Sequence, residues 1–220
     1  MSSHQATTRH GIFRMIRALV NSYFPLPVRA TRTNLHDTKC IFIVSIGNFE
    51  PEYSGTRHNV AHRVLDQLIE RYWKEHILSQ NSPYYQSSKY RHVVLFKSDS
   101  TFMNLQGRVI ANHFQQLPAG SVLVVLHDEL ERQAGRYDLR RPGTSSRGHN
   151  GLKSIDGYYK GKYHKIGIGI GRPGKHESIA DYVLSPMTQD EIKATNNAVP
   201  QIVREIEGLI EQEFPGELDS

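Results

Sequence analysis

The sequence predicts an α/β fold: a single domain with a mostly parallel twisted sheet and helices on both faces. Three observations carry that expectation. Short, continuous apolar runs recur along the chain, stretches with apolar residues at helical spacing lie between them, and a polar cluster follows each run. Strands that alternate with helices build parallel sheets covered on both sides.

The first run, Ile41–Ile46, is rich in β-branched residues and reads as a strand buried on both faces. After a polar loop, Val60, Ala61, Val64, Leu65, Leu68, Ile69 and Tyr72 fall at helical spacing and complete a strand-loop-helix unit. Val93–Phe96 is a second strand, and Leu105, Val109, Ile110 and Phe114 predict a helix over 103–117. Val122–Leu126 is a third strand, ending at His127-Asp128-Glu129. Lys165–Gly171 alternates glycine and isoleucine, as a strand does where another backbone comes close. Residues 190–214 read as a helix with an acidic face.

A chain of 220 residues is long enough for one well-buried domain and a tail. Its formal charge of +5 is unevenly placed: residues 1–40 carry Arg9, Arg14, Arg17, Arg29, Arg32 and Lys39 against Asp37 alone. Beyond them a mildly basic middle is balanced by an acidic C-terminal stretch, so polyanion binding is allowed but not demanded. The single Cys40 excludes an intramolecular disulfide and a multi-cysteine zinc cage, and reads as a small buried residue leading a strand. No run approaches the roughly 20 apolar residues of a membrane span, so no membrane partner is expected. Residues 1–36 lack any acid, and Ile12, Phe13, Ile16, Leu19, Val20 and Tyr23 recur at helical spacing opposite Arg14 and Arg17. That is the pattern of a mitochondrial transit peptide, with a disordered basic arm or an additional helix as the alternatives. The chain thus divides into a basic extension over 1–38, a domain over 39–214 and an acidic tail over 215–220.

Parallel sheets bind ligands at the carboxyl ends of their strands. Here those ends carry Asn48 through Asn59, Ser98 through Asn104, and Asp128. The chain offers no nucleophile-elbow serine and no H-E-x-x-H spacing. A neutral His58 takes a proton from water near neutral pH, and a carboxylate such as Asp128 on its other nitrogen fixes the tautomer and stabilises the imidazolium. Asn48, Asn104 and Asn150 supply amide donors and acceptors suited to acyl transfer. These groups describe a water-attacking hydrolase with no metal, no cofactor and no covalent intermediate.

The stretch from Gly47 to Asn59, GNFEPEYSGTRHN, resembles the G-N-P-G-x-x-Y-x-x-T-R-H-N signature of the bacterial-type peptidyl-tRNA hydrolases, with its spacing intact. Thr101–Gly107, His127–Leu130, Gly148–Ile155 and Ile168–Gly174 resemble four further blocks of that family, in order. The resemblance implies that His58 activates the hydrolytic water, that Asp128 orients and polarises His58, and that Asn48 positions the ester and stabilises the oxyanion. It implies that Asn104 and Asn150 hold the peptide and the terminal nucleotide. Met103 would line the groove, with His149 also at the substrate, and Tyr53 either touches the tRNA end or packs under the loop. The reaction implied is cleavage of the ester between a peptide's carboxyl end and the 3′ ribose of tRNA, by a monomer.

Transfer RNA is held largely through phosphates, and Arg140, Arg141, Lys165, Arg172 and Lys175 stand near the family's phosphate-clamping positions. Departures from the pattern fall around the groove. Phe49-Glu50 replaces Pro-Gly, Lys97–Thr101 is one residue longer and lacks a proline, Gln106 replaces serine, and Arg147 replaces a glycine in a lengthened 144–148 loop. Two rival readings are a non-catalytic RNA-binding protein on the same fold, like a splicing factor, and a nucleotide-binding protein using Gly167–Gly174 as a phosphate loop. Retention of His58, Asp128 and the three asparagines argues against the first. The lack of a following G-K-[ST] argues against the second.

Overall fold

The computed structural model describes residues 39–74, 77–78, 84–87 and 89–216, the pair 77–78 by its backbone alone. The extension read as a transit peptide and the last residues of the acidic tail, 217–220, lie outside the described residues. In chain order the elements are β1 (Ile41–Ile46), α1 (Val60–Gln67), β2 (Ile77–Leu78), β3 (Tyr84–Ser87), β4 (Val93–Ser98), α2 (Gln106–Phe114), β5 (Val122–Glu129), β6 (Tyr137–Arg140), α3 (Asn150–Tyr159), β7 (His164–Gly169), α4 (Ile179–Leu184) and α5 (Gln189–Glu213).

The strands form one sheet in the order β2-β3-β4-β1-β5-β7-β6. β4, β1, β5 and β7 run parallel, with β3 antiparallel to β4, β2 to β3, and β6 to β7. Most strands therefore share one direction, as the sequence predicts. β1 is the axis, and all six of its residues are buried. Each fully buried Ile, Val or Phe contributes about 1.5–3 kcal/mol. The five apolar residues of β1 alone therefore rival the 5–15 kcal/mol or so of net stability usual for a domain. Its side chains alternate between faces: Ile41 and Ile43 join one core with α1 and α5, while Phe42, Val44 and Ile46 join another with α2 and α3.

Several elements go beyond the expectation. β3 and β6 lie toward the flanks of the sheet, and most of their residues are only half-buried, so they carry little of the apolar signal that marks the central strands. α3 opens on Asn150-Gly151, a pair that reads as a turn in sequence. β5 runs on to Glu129, so that His127 and Asp128 lie in the strand rather than after it. The predicted 103–117 helix splits into a 3-10 turn over Met103–Leu105 followed by α2. The helix over 60–72 ends in a wider π-type turn, Leu68–Tyr72, in which Trp73 N donates to Leu68 O at 2.9 Å.

Of the two glycines of β7, Gly169 meets a neighbouring backbone as predicted, whereas Gly167 faces the side chains of Glu129 and His127. A Cβ on Gly169 would sit 2.2 Å from Gln133 O and 2.8 Å from Arg132 O and Arg136 O, so this strand is grazed by the 132–136 backbone. The close approach accounts for that glycine, and no phosphate loop is needed to explain it. The parallel register aligns the carboxyl ends, Ile46 beside Ser98 and Ser45 beside Leu126. Gln106, fully buried at the start of α2, ties two of those ends together: Nε2 donates to Gly47 O at 2.8 Å and Ser98 O at 3.0 Å, and its Oε1 accepts from Ser98 Oγ.

Candidate active site

The aligned strand ends open into a cleft of about 830 Å³ lined by Asn48, His58, Asn104, Asp128, His149 and Asn150 among others. At its floor Asp128, 3% exposed, accepts two hydrogen bonds on one oxygen, from His58 Nδ1 at 2.8 Å and from His149 Nε2 at 2.7 Å. An ionised carboxylate only accepts, so both ring nitrogens carry protons. His149 Nδ1 in turn accepts from Leu152 N at 3.2 Å, capping α3 and fixing the ring's tautomer. His58 Nε2 is then the unprotonated nitrogen, on a side chain that lines the cleft.

Electrostatics follow from burial and pairing. Burial alone would raise the Asp128 carboxyl, but the two imidazoles and their hydrogen bonds hold it far below the usual carboxylate range. Burial pushes His58 down, yet the Asp128 charge and hydrogen bond outweigh it and hold His58 above its ordinary value. Beneath them His127 donates from Nδ1 to Asp128 O at 2.6 Å and accepts from Arg140 Nη2 at 3.0 Å. Burial, with His149 and Arg140 nearby, keeps this ring well below its ordinary value and therefore neutral. His58, Asp128 and His149 place three donor atoms within 4.8 Å of one another, the spacing of a metal site. Binding a cation through His149 Nε2 would move its proton to Nδ1 and cost α3 its cap, so the cluster suits hydrogen bonding better than coordination.

The His58 turn, Arg57–Asn59, is held from both sides. Arg57 is buried and donates from Nε and Nη2 to the two carboxylate oxygens of Glu191 at 2.8 and 2.9 Å. Its guanidinium also lies 4.3 Å from the centre of the Tyr182 ring and reaches Ser185 Oγ. Asn59, 3% exposed, brackets the backbone of Asn48: its Oδ1 accepts from Asn48 N at 2.8 Å and its Nδ2 donates to Asn48 O at 3.0 Å. Asn48 Oδ1 accepts from Met103 N at 2.8 Å, which leaves its Nδ2 as the donor for the cleft. Met103 is buried against Gly151, where a Cβ would come within 2.5 Å of its sulfur.

The peptidyl-tRNA hydrolase family model matches residues 42–219. The chain belongs to the peptidyl-tRNA hydrolase family. It is 32% identical to the peptidyl-tRNA hydrolase of Rickettsia rickettsii (strain Sheila Smith) over 175 residues, 77% of this chain and 92% of that protein. With the enzyme of Rickettsia bellii (strain OSU 85-389) the identity is 30% over 180 residues, 79% of this chain and 95% of that one. The crystal structure of peptidyl-tRNA hydrolase from Acinetobacter baumannii superposes with a TM-score of 0.66 at 27% identity, covering 82% of this chain and 93% of that one.

The structure brings together His58, Asp128, Asn48, Met103, Asn104, His149 and Asn150, as the family's pattern implies, but redistributes other predicted residues. Tyr53 does not line the cleft; it stacks edge-on against Phe102, which does, with ring centres 6.3 Å apart. Arg140 and Lys165 are corrected as phosphate contacts. Arg140 is 5% exposed and bonded to His127, Ser145 O and Glu129, and Lys165 is fully buried with its ammonium 4.0 Å over the Tyr163 ring. Arg141 and Lys175 are exposed outside the cleft lining, and Arg172 is exposed within it. The departures from the family's pattern meet one another: Glu50 N donates to Asp99 O at 3.1 Å, its carboxylate lies 2.9 Å from Lys97, and Gln106 binds Ser98. The sequence assigns no role to Asn59, whose one signal is its place at the end of the Thr56-Arg57-His58-Asn59 string beside the base.

Asn59→Ala strands the backbone N–H and C=O of a buried Asn48. Chemical denaturation should show a loss of about 2–4 kcal/mol, two buried hydrogen bonds at one or two each; a loss below about 0.5 kcal/mol would mean the bracket holds nothing.

Proposed function

We propose that this enzyme hydrolyses the ester joining a peptide's C-terminal carboxyl to the 3′ ribose of tRNA, with His58 as general base, so that tRNA is recovered from aborted translation. The observation that carries the reading is the 2.8 Å bond from His58 Nδ1 to the buried Asp128 carboxylate, which fixes Nε2 as the basic atom at the cleft. His58 Nε2 takes a proton from water, and the oxygen attacks the ester carbonyl. Asn48 Nδ2 donates to the developing oxyanion, and the imidazolium, stabilised by Asp128, returns the proton to the departing ribose oxygen. Asp128 stays ionised throughout. Asn104 and Asn150, exposed on the cleft walls, bind the peptide and the terminal nucleotide. His149 anchors Asp128 from the second side. The intact His58–Asp128 pair favours an enzyme over a non-catalytic RNA-binding protein.

An N-acetylated aminoacyl-tRNA should be cleaved and its unblocked counterpart spared, with turnover falling about 100- to 10,000-fold in His58→Ala as a general base is lost. Full activity in a folded His58→Ala protein would remove the base assignment.

The pH profile carries a sign. His58 works only when neutral, and Asp128 holds its pKa above the ordinary 6.5, so kcat/KM rises with pH through that raised value and then levels. In Asp128→Asn the charge is gone and burial dominates, so the inflection moves to lower pH while the plateau drops. A profile whose inflection stays put in that variant would assign the titration to another group.

We further propose that residues 1–38 direct the chain to mitochondria, on the strength of Arg9, Arg14 and Arg17 within a stretch, 1–36, that holds no acid. Incubation with isolated mitochondria followed by N-terminal sequencing should give a chain shortened near residue 38; an imported chain that keeps Met1, or exclusion from the organelle, speaks against it.

A further inference from the structure

Three arginine or lysine side chains line the cleft: Arg140, Arg147 and Arg172. Arg140 is buried, whereas Arg147 and Arg172 have side chains 41% and 57% exposed. Arg147 stands where the family carries glycine, and its backbone lies in the left-handed region at φ 47°, which residues with a Cβ disfavour. The backbone there suits glycine, so the arginine is not needed to shape the loop. What the replacement adds is a guanidinium at the cleft, two residues before His149 and three before Asn150.

That guanidinium rests on carboxylates, with Nη1 2.8 Å from Asp138 Oδ2 and 3.4 Å from Glu129 Oε2, while Arg172 pairs with Glu131. Arg132 and Arg140 reach the same acids, Arg132 to Asp138 and Arg140 to Asp138 and Glu129. The wall therefore sets Arg132, Arg140, Arg147 and Arg172 against Glu129, Glu131 and Asp138, with the Asp128 carboxylate at the floor bringing the charges level. A pair as exposed as Arg147–Asp138 is weak and exchanges partners readily, and a guanidinium binds phosphate through two parallel hydrogen bonds.

We propose that Arg147 is an RNA-binding residue particular to this chain: its guanidinium leaves Asp138 to grip a phosphodiester near the 3′ end of the tRNA, beside Arg172. This contact rests on the peptidyl-tRNA reading of the cleft. It places a recognition group on the loop that presents His149 and Asn150, so that holding the RNA end and seating the ester fall to one segment.

The test uses the full chain and a fluorescently labelled tRNA acceptor minihelix with its single-stranded 3′ end, with affinity read by anisotropy across a salt series. Arg147→Gly, which suits the local backbone, should weaken binding about tenfold and flatten the logarithmic salt slope by about 0.7–0.9, one phosphate contact's worth. Arg147→Lys should keep part of the affinity. In hydrolysis of N-acetylated aminoacyl-tRNA the loss should fall on KM. Unchanged affinity and slope in Arg147→Gly overturn the proposal, and so does a loss confined to kcat, which would make Arg147 a brace for its loop. If the wild-type chain binds the minihelix through Arg147 yet cleaves no ester, the hydrolase reading fails while the contact stands.

Discussion

Everything at the site depends on a carboxylate kept ionised where water barely reaches. Removing a charge from water costs several kcal/mol unless hydrogen bonds replace the lost solvation. Asp128 receives two such bonds on one oxygen, from rings carried on a turn 70 residues earlier and a helix start 21 residues later. Those two ring positions are therefore coupled: neither imidazole can shift without exposing the charge to an unsatisfied interior. Neutral His127 below, itself held by Arg140, keeps a second positive ring from forming there.

Loops of irregular backbone provide the reacting groups, and the fold stiffens them with contacts distant in sequence. The Arg57–Glu191 pair links the turn of the base to the first turn of the C-terminal helix, where Glu191 also closes a capping box with Thr188. Lys97 lies between Glu50 and Asp66, joining the loop after β1 to α1. His62, buried under the same loop with Ser45 Oγ on its Nδ1, is pushed down to about 3, chiefly by burial, and so adds no charge beneath the base. The loop after β1 thus tolerates Phe49-Glu50 in place of Pro-Gly because Glu50 brings its own anchors.

The central strands β1, β4 and β5 were legible because burial on both faces forces continuous apolar runs, and β7 because its isoleucines alternate with glycine. β3 and β6 were not, since half-buried flanking strands mix polar and apolar residues freely, and the short α3 hides behind an Asn-Gly start. At the site, the chemistry was legible from residue type: an imidazole, a carboxylate and primary amides at strand ends. Accessibility was not. Arg140 and Lys165 look in sequence like any other cation, and only packing reveals that one is walled in by His127 and Glu129 and the other by Tyr163. Arg147 was visible as a departure from a glycine, but its place in the cleft depends on Asp138, nine residues back on a neighbouring strand.

The distance between Arg57 and Glu191 along the chain has a consequence for the protein's own synthesis. While it is being made, this polypeptide is itself an ester of tRNA, the very class of bond proposed as its substrate. The clamp on the His58 turn cannot close until Glu191, 134 residues further along the chain, has emerged from the ribosome. The catalyst is thus assembled only after the first turn of the C-terminal helix has followed the base into the open.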